Sequence, residues 1–300
     1  MRQLTLDAHA KLNLFLGIST EITCGKHQLI SVFTKISLAD TLEFTLDESQ
    51  PAGITLDIEY QDGIVPLSID AEENIICRAS RDFADLIDSP LAGHLQIKLI
   101  KRIPEQGGLG GGSSDAATTI RALAQLYGQD FRDSKFLDLA ASLGSDVSFF
   151  LYDDCALMGG SGDIHLQTLP EPALNLVLVK PAAGVSTAAA YQEFDHNPQP
   201  AGDVTPLVDA LIAANLNTPA IAAAMENNLY PAASALLPEL EELMHALEDQ
   251  PRVLRALLTG SGATVFGLCE DAVAAKAAQE VFAARGYWAQ ACTTGQHGNS

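Results

Sequence analysis

The chain is short of positive charge, of long apolar runs and of patterned cysteines, and each shortage removes a class of function. Its 300 residues carry 17 Lys and Arg against 38 Asp and Glu, a formal net charge of −21. Such a surface is repelled by nucleic-acid backbones and anionic bilayers, so neither is an expected partner. Any anionic substrate must instead find local positive potential, from backbone N–H groups and a few lysines. No stretch reaches the roughly 20 apolar residues of a membrane helix. Leu12–Ile18 is apolar but short, with no cleavage-like region after it, so no signal peptide is expected. The five cysteines, Cys24, Cys77, Cys155, Cys269 and Cys292, are odd in number and form no C-x-x-C pair. They read as reduced thiols of a cytoplasmic protein, without a zinc site or a disulfide framework. Two common phosphate motifs are also missing: there is no G-x-x-x-x-G-K-S/T, and the glycine spacing does not complete G-x-G-x-x-G. A P-loop nucleotidase and a dinucleotide-dependent dehydrogenase both lose ground. Repeats and low-complexity segments are absent.

What is there is enough apolar chain for a substantial core. Hydrophobic residues make up 47% of it and the mean hydropathy is +0.13, the profile of a globular protein of one large or two medium domains. The most informative stretch is Pro104–Ala117, PEQGGLGGGSSDAA, in which Gly107, Gly108, Gly110, Gly111 and Gly112 crowd into six positions. Before it, Leu95, Ile97 and Leu99 alternate with Gln96 and Lys98, which predicts a strand with one apolar face. After it, Ile120, Leu123, Ala124 and Tyr127 recur at helical spacing, with Gly128 placed to end the helix and Ser113, Ser114 or Asp115 as its N-cap. Strand, glycine loop and helix N-terminus in that order make an anion cradle. Glycines let backbone N–H groups approach without a Cβ in the way, and the helix start favours negative charge. A flexible surface turn is the competing reading.

Further along, QLTLDA and KLNLFLGI read as a strand pair or a bent strand over residues 3–18, with Lys11 and Asn13 on the face opposite the leucines. By pattern alone Lys11 is a solvated edge lysine. SKFLDLAASL predicts a helix over 134–143 capped by Ser134 and stopped by Gly144, and GSDVSFFL follows it. Asp146 in that segment reads locally as a cap or turn residue. Pro170 and Pro172 punctuate a change of domain near 165–175, after which LNLVLVKP reads as a strand. Alanine-rich helices are expected near 206–215, 218–226 and 238–249. The last quarter predicts strand, loop, strand, a helix over about 271–285 and a final strand WAQACTT, with a disordered tail after Thr294.

These residues resemble the GHMP kinases. PEQGGLGGGSSDAA is similar to that family's phosphate loop, TGSGATVFG (Thr259–Gly267) to its third motif, and AKLNLFL (Ala10–Leu16) to the first motif of its branch acting on 4-diphosphocytidyl-2-C-methyl-D-erythritol. The resemblance spans residues 8 to 268. It implies an α+β, two-domain fold: a ribosomal protein S5 domain 2-like ATP-binding domain over 1–168 and a ferredoxin-like α+β substrate domain over 169–300, with the site in the cleft between. It implies an ATP-dependent kinase of a small alcohol, using Mg²⁺ and serving a non-mevalonate route to isoprenoid precursors. The partner it implies is a cytidine diphosphate-linked molecule phosphorylated at its 2-hydroxyl, and the assembly a monomer or homodimer.

The same resemblance assigns roles. Lys11 and Asp146 are the catalytic pair, the aspartate accepting the hydroxyl proton. Pro104, Gly107, Gly108, Leu109, Gly110, Gly111, Gly112, Ser113, Ser114 and Thr187 hold the phosphates. Asn74, in EENII (Glu72–Ile76), and Lys101 lie by the adenine. Asn13, Lys26, His27, Tyr191, Gly260, Ser261 and Gly262 face the acceptor. Ser114 and Asp115 are the candidate Mg²⁺ contacts. Lys26 stands where the family has a tyrosine that stacks on cytosine, and Ser148 where it has a proline. Asn74 reads equally as the start of an acidic helix, Lys101 as a strand-end lysine, and Tyr191 as a core aromatic. Lys26 also keeps open another GHMP kinase, acting on mevalonate phosphate, homoserine or a sugar. A non-catalytic binding protein of the same fold is the remaining alternative.

Overall fold

Two sheets, each covered by helices, organise the chain. The computed structural model describes residues 1–66, 73–87, 91–152 and 155–295. The expected tail after Thr294, from residue 296, and Glu72 of the EENII segment lie outside the described residues.

The chain opens with β1 (Arg2–Thr23) and β2 (Lys26–Asp47), two strands of 22 residues each, paired antiparallel. Cys24 (φ 52°) and Gly25 (φ 76°) close the hairpin with two positive-φ residues, the turn whose twist suits a two-residue hairpin. Register shifts at His9/Lys11 and Asn13/Phe15 bend β1, which is the expected bent strand realised as one element. There follow β3 (Gly53–Tyr60), α1 (Ile75–Leu86), β4 (His94–Lys101), α2 (Gly111–Leu126) and α3 (Ser134–Leu143). A short 3₁₀ turn at Ser148–Leu151 leads into β5 (Cys155–Gly159) and β6 (Ile164–Thr168). The first sheet has the order β3-β4-β2-β1, with β5 pairing β2 and β6.

The second sheet begins with β7 (Asn175–Lys180). Helices α4 (Thr187–His196), α5 (Thr205–Ile212) and α6 (Thr218–Ala224) follow. Then come a two-residue strand β8 (Glu226–Asn227), α7 (Tyr230–Leu236) and α8 (Glu239–Glu248). The chain closes with β9 (Val253–Leu258), β10 (Val265–Cys269), α9 (Ala272–Ala284) and β11 (Trp288–Thr293). The order β11-β7-β10-β9, all antiparallel, is that of a split βαβ unit, the ferredoxin-like arrangement expected for this half. Instead of completing the second sheet, β8 returns to pair parallel with β1, at Phe15 and Leu16.

Local expectations need three corrections. Helix α2 is capped by Gly110 at φ 72°, not by Ser113, Ser114 or Asp115, which lie inside its first turns. Positive φ at a glycine turns the chain into the helix without any side-chain cap. Asp133, not Ser134, is the N-cap of α3. The helices expected at 206–215 and 218–226 are shorter, and α7 has no counterpart in the expectations, its seven residues being too few to show a helical period.

Candidate active site

The glycine loop is clamped between β1 and the β9–β10 loop. On one side Lys11 N donates to Leu109 O at 2.9 Å. On the other, Thr264 N donates to Gly107 O and Ala263 N to Gln106 O, both at 3.2 Å, and Thr259 Oγ1 reaches Gly108 O at 3.4 Å. The fit is close enough to require glycine. Gly108 has φ 72°, and a Cβ on it would overlap the Thr259 carbonyl; one on Gly110 would come within 2.9 Å of Phe150 Cζ and 3.1 Å of Lys11 Cγ. Gly112, by contrast, faces open space beside Ile75 of α1. The loop therefore presents the amide end of α2, whose first N–H groups have no intrahelical acceptor, to a gap between two helix starts.

The bend in β1 turns Lys11 inward. The sequence pattern made it a solvated edge lysine; it is instead 3% exposed. A buried ammonium needs partners, and it has them: Nζ donates to Asn13 Oδ1 at 2.7 Å, lies 3.4 Å from Asp146 Oδ2 and sits 4.9 Å above the Phe33 ring. Asn13 is in turn fixed by donation from Nδ2 to Ser31 Oγ at 2.9 Å and from its backbone N–H to Thr259 Oγ1 at 3.2 Å, while Thr259 Oγ1 donates to its Oδ1 at 3.3 Å. Asp146, on the turn before the 3₁₀ segment, keeps its side chain about a third (34%) exposed. A held cation beside an accessible carboxylate is a proton-accepting pair with a fixed orientation.

A cleft of about 520 Å³ opens over this pair. Of the residues singled out in the sequence, Lys11, Asn13, Lys26, His27, Gly108, Gly110, Asp146, Thr187, Tyr191, Gly260 and Ser261 line it. Thr187 Oγ1 and Ser261 Oγ meet at 2.9 Å on its wall. The His27 ring lies 5.4 Å from Tyr191, its Nε2 3.1 Å from Asp195 Oδ1 and its Nδ1 2.9 Å from Ser19 O, so both ring nitrogens already have protein partners. Burial, with a smaller push from Asp146, raises the Tyr191 hydroxyl to about 12, so this ring stays neutral. Ser145, Ser161, Phe33 and Leu229 also line the cleft without having been singled out. Ser145 is the immediate neighbour of Asp146, a usable signal; Ser161 and Leu229 come from segments whose pattern carried none.

Other singled-out residues lie elsewhere. Pro104, Gly107, Leu109 and Gly262 belong to the loops around the cleft, and Gly111 and Ser113 to the first turn of α2, and none of them is part of its lining. Asn74 is the N-cap of α1, its Oδ1 accepting from Ile76 N at 2.9 Å. Lys101 is 1% exposed beneath the loop, its ammonium bound to Asp40, to Asp115 at 3.0 Å and to Glu105 at 3.7 Å. That burial replaces the expected place beside adenine, because the charges under Gly111 hold the ammonium inward. Burial pulls Lys101 down, yet Asp115 and Asp40 outweigh it and hold it above its ordinary value. Burial also dominates at Asp115, whose carboxyl rises to about 8, Lys101 notwithstanding.

The donors for Mg²⁺ do not assemble. Ser114 and Asp115 are 1% and 2% exposed, and Asp115 is committed to Lys101. Among the described residues no group of three or more His, Cys, Asp or Glu stands close enough to hold a metal ion. These residues do not by themselves fit the ion.

Known proteins share this arrangement. Residues 74–154 match the family model described as GHMP kinases N terminal domain, and residues 190–287 that described as GHMP kinases C terminal. The 4-diphosphocytidyl-2-C-methyl-D-erythritol kinase of Desulfitobacterium hafniense is 34% identical over 99% of this chain and 98% of its own. The protein of the same name from Pelotomaculum thermopropionicum is 37% identical over 91% of each chain. A crystal structure of 4-(cytidine 5'-diphospho)-2C-methyl-D-erythritol kinase superposes with a TM-score of 0.77 at 31% identity, covering 98% of this chain and 100% of that one. A homoserine kinase from Cytophaga hutchinsonii shares the fold, with a TM-score of 0.70 at 20% identity over 98% of this chain and 95% of its own. With a relative a third identical over nearly every residue and family models matched in both halves, the chain belongs to the GHMP kinases, a family of small-molecule kinases.

Proposed function

We propose that this kinase transfers the γ-phosphoryl group of ATP to the 2-hydroxyl of 4-diphosphocytidyl-2-C-methyl-D-erythritol, in the supply of isoprenoid precursors. The observation that carries the reading is the Lys11–Asp146 pair facing one cleft with Gly108 and Gly110, in a chain so similar to kinases of that name.

Asp146 accepts the proton of the acceptor hydroxyl as its oxygen attacks the γ-phosphorus. The bond from that phosphorus to the β–γ bridging oxygen breaks, and ADP leaves with the electron pair. Lys11, held by Asn13, orients the carboxylate and lowers the energy of the developing alkoxide. Phosphoryl transfer asks more of positioning than of covalent chemistry. The loop Gly107–Ser114 supplies that positioning through its amides, with Thr187 on the facing wall. Asn74 and the open side of Gly112 lie where the nucleoside end extends. ATP would enter as its Mg²⁺ complex, the ion supplying charge neutralisation to the phosphates. Tyr191, His27, Lys26 and the 260–262 loop take the acceptor. ATP is held mainly by residues 1–168, and the acceptor lies between Lys26 and His27 of that half and Tyr191 and the 260–262 loop of residues 169–300, in a cytoplasmic monomer or homodimer.

The test is ADP release, by a coupled assay, with a panel of alcohols. Turnover with the cytidylyl acceptor, and none with mevalonate phosphate, homoserine or galactose, is the expected result. Turnover confined to one of the others replaces the substrate while leaving the kinase.

A further inference from the structure

Lys26 is a cation with a vacancy for an anion. The positive-φ turn at Cys24 and Gly25 sets it opposite Thr23 at the start of β2, exposed at the mouth of the cleft. Its Nζ donates to Ser145 Oγ at 3.2 Å, and Ser145 Oγ meets Ser161 Oγ at 3.3 Å. Both partners are neutral hydroxyls. Lys11, the other lysine of the cleft, faces Asp146, and His27 faces Asp195. Lys26 is therefore the one cation lining the cleft without a carboxylate partner among the described residues. In a chain of net charge −21, an ammonium whose partner among the described residues is a hydroxyl is conspicuous, because acidic side chains to neutralise it are plentiful.

We infer that Lys26 binds the diphosphate of the acceptor, so that this kinase reads its acceptor by charge at the mouth of the cleft, with an aromatic ring on one face of the base only. The acceptor class is an alcohol linked to a nucleoside through a diphosphate. Chemistry agrees with position: an ammonium on a four-carbon stem is a mobile point charge that follows phosphate oxygens, and it cannot stack as a ring does. The Ser145 hydroxyl accepts from the ammonium and gives it up to a charged oxygen without leaving an ion unpaired. Tyr191, whose ring lies 5.4 Å from His27, keeps the aromatic contact.

The inference rests on the proposed acceptor, and it is tested by binding, so that failure of turnover does not decide it. Cytidine diphosphate, cytidine and a non-hydrolysable ATP analogue are titrated calorimetrically into the wild-type protein, Lys26→Gln and Lys26→Arg. The expected result is a roughly tenfold loss of cytidine diphosphate affinity in Lys26→Gln. Cytidine and the ATP analogue should bind as in the wild type, and Lys26→Arg should recover most of the loss. Added salt should weaken cytidine diphosphate binding to the wild type more than to Lys26→Gln. Equal cytidine diphosphate affinity in wild type and Lys26→Gln overturns the inference, as does a loss confined to the ATP analogue or one equally large for cytidine. Melting temperatures of the variants guard against a folding defect, which an exposed position makes no reason to expect.

Discussion

Asp146 and Lys11 touch, yet their burial assigns them different work. The lysine is enclosed, and the aspartate is open to the cleft. Asp146→Asn keeps the shape and removes the proposed proton acceptor, so turnover should fall by roughly 10²–10⁴ while ATP affinity stays near wild type. Single-turnover kinetics beside an equilibrium titration of ATP analogue separate the two quantities, and near-normal turnover removes Asp146 from the mechanism. Under the loop, Lys101 faces two buried aspartates, one cation to two carboxylates. A buried cluster of that composition is neutral only if it takes up a proton. Asp115 is where it goes, its carboxyl raised by burial from 3.8 to about 8. Between those values the folded chain binds a proton that the unfolded chain does not. Stability from this group is thus full below 3.8, falls as the pH rises towards about 8 and levels off beyond it. Urea midpoints against pH should show that decline in the wild type and a shallower one in Asp115→Asn. Lys101→Met, which strands the buried Asp40 carboxylate, should cost about 3–5 kcal/mol at neutral pH.

Two glycines with almost the same backbone angle separate what a turn requires from what a site requires. Gly128 ends α2 at φ 65° with nothing within 4 Å of an added Cβ, so Gly128→Ala carries only the left-handed backbone cost, about 1 kcal/mol. Gly108 has φ 72°, and there the new methyl also collides with the Thr259 carbonyl that clamps the loop. Gly108→Ala should therefore weaken the ATP analogue by at least about tenfold, whereas Gly128→Ala should lower the melting temperature and leave that affinity alone. Equal affinities in the two variants would mean that the clamp does not shape the cradle. The contrast also marks how far the sequence could be read. The strand before the loop, the helix after it and the closing strand–loop–strand–helix–strand are legible, since their apolar periods are long and regular. The start of α2 is not, because Ser113, Ser114 and Asp115 are good caps by composition while a glycine φ decides the matter three residues earlier. Lys11 is illegible by pattern, since a bulge and not the alternation turns it inward. Strand β3 is legible too, Ile54, Leu56 and Ile58 alternating with Thr55, Asp57 and Glu59, whereas the two residues of β8 are too few to show a pattern. Lys101 is held by Asp115, 14 residues on, and by Asp40, 61 residues back, a pairing that no local pattern shows.

At the scale of the whole molecule, β1 is the common member. Leu6 and Ala8 pack in the core of the first sheet, Leu16 and Ile18 against the helices of the second, and Leu12, Leu14 and Phe15 in the apolar layer between. A strand that belongs to every core makes separate unfolding of the halves unfavourable. Asn227 and Asn228 reinforce it from the other side. Asn228 takes the place of a strand partner for Ile18, accepting from its N–H at 2.8 Å and donating to its C=O at 2.9 Å. Asn227 Nδ2 holds the carbonyls of Leu258 at 2.7 Å and Gly260 at 2.9 Å, which ties β8, and through it β1, to the loop whose Gly260 and Ser261 line the cleft. Asn228→Ala leaves two buried backbone groups of Ile18 without partners, at about 1–3 kcal/mol each. It should lower the urea midpoint while fluorescence and circular dichroism still trace one transition. Asn227→Ala should add a rise in KM for the acceptor, because the loop it releases carries Gly260 and Ser261. Two resolved transitions in Asn228→Ala would show that the asparagine side chains, and not the shared strand, make the two sheets unfold together.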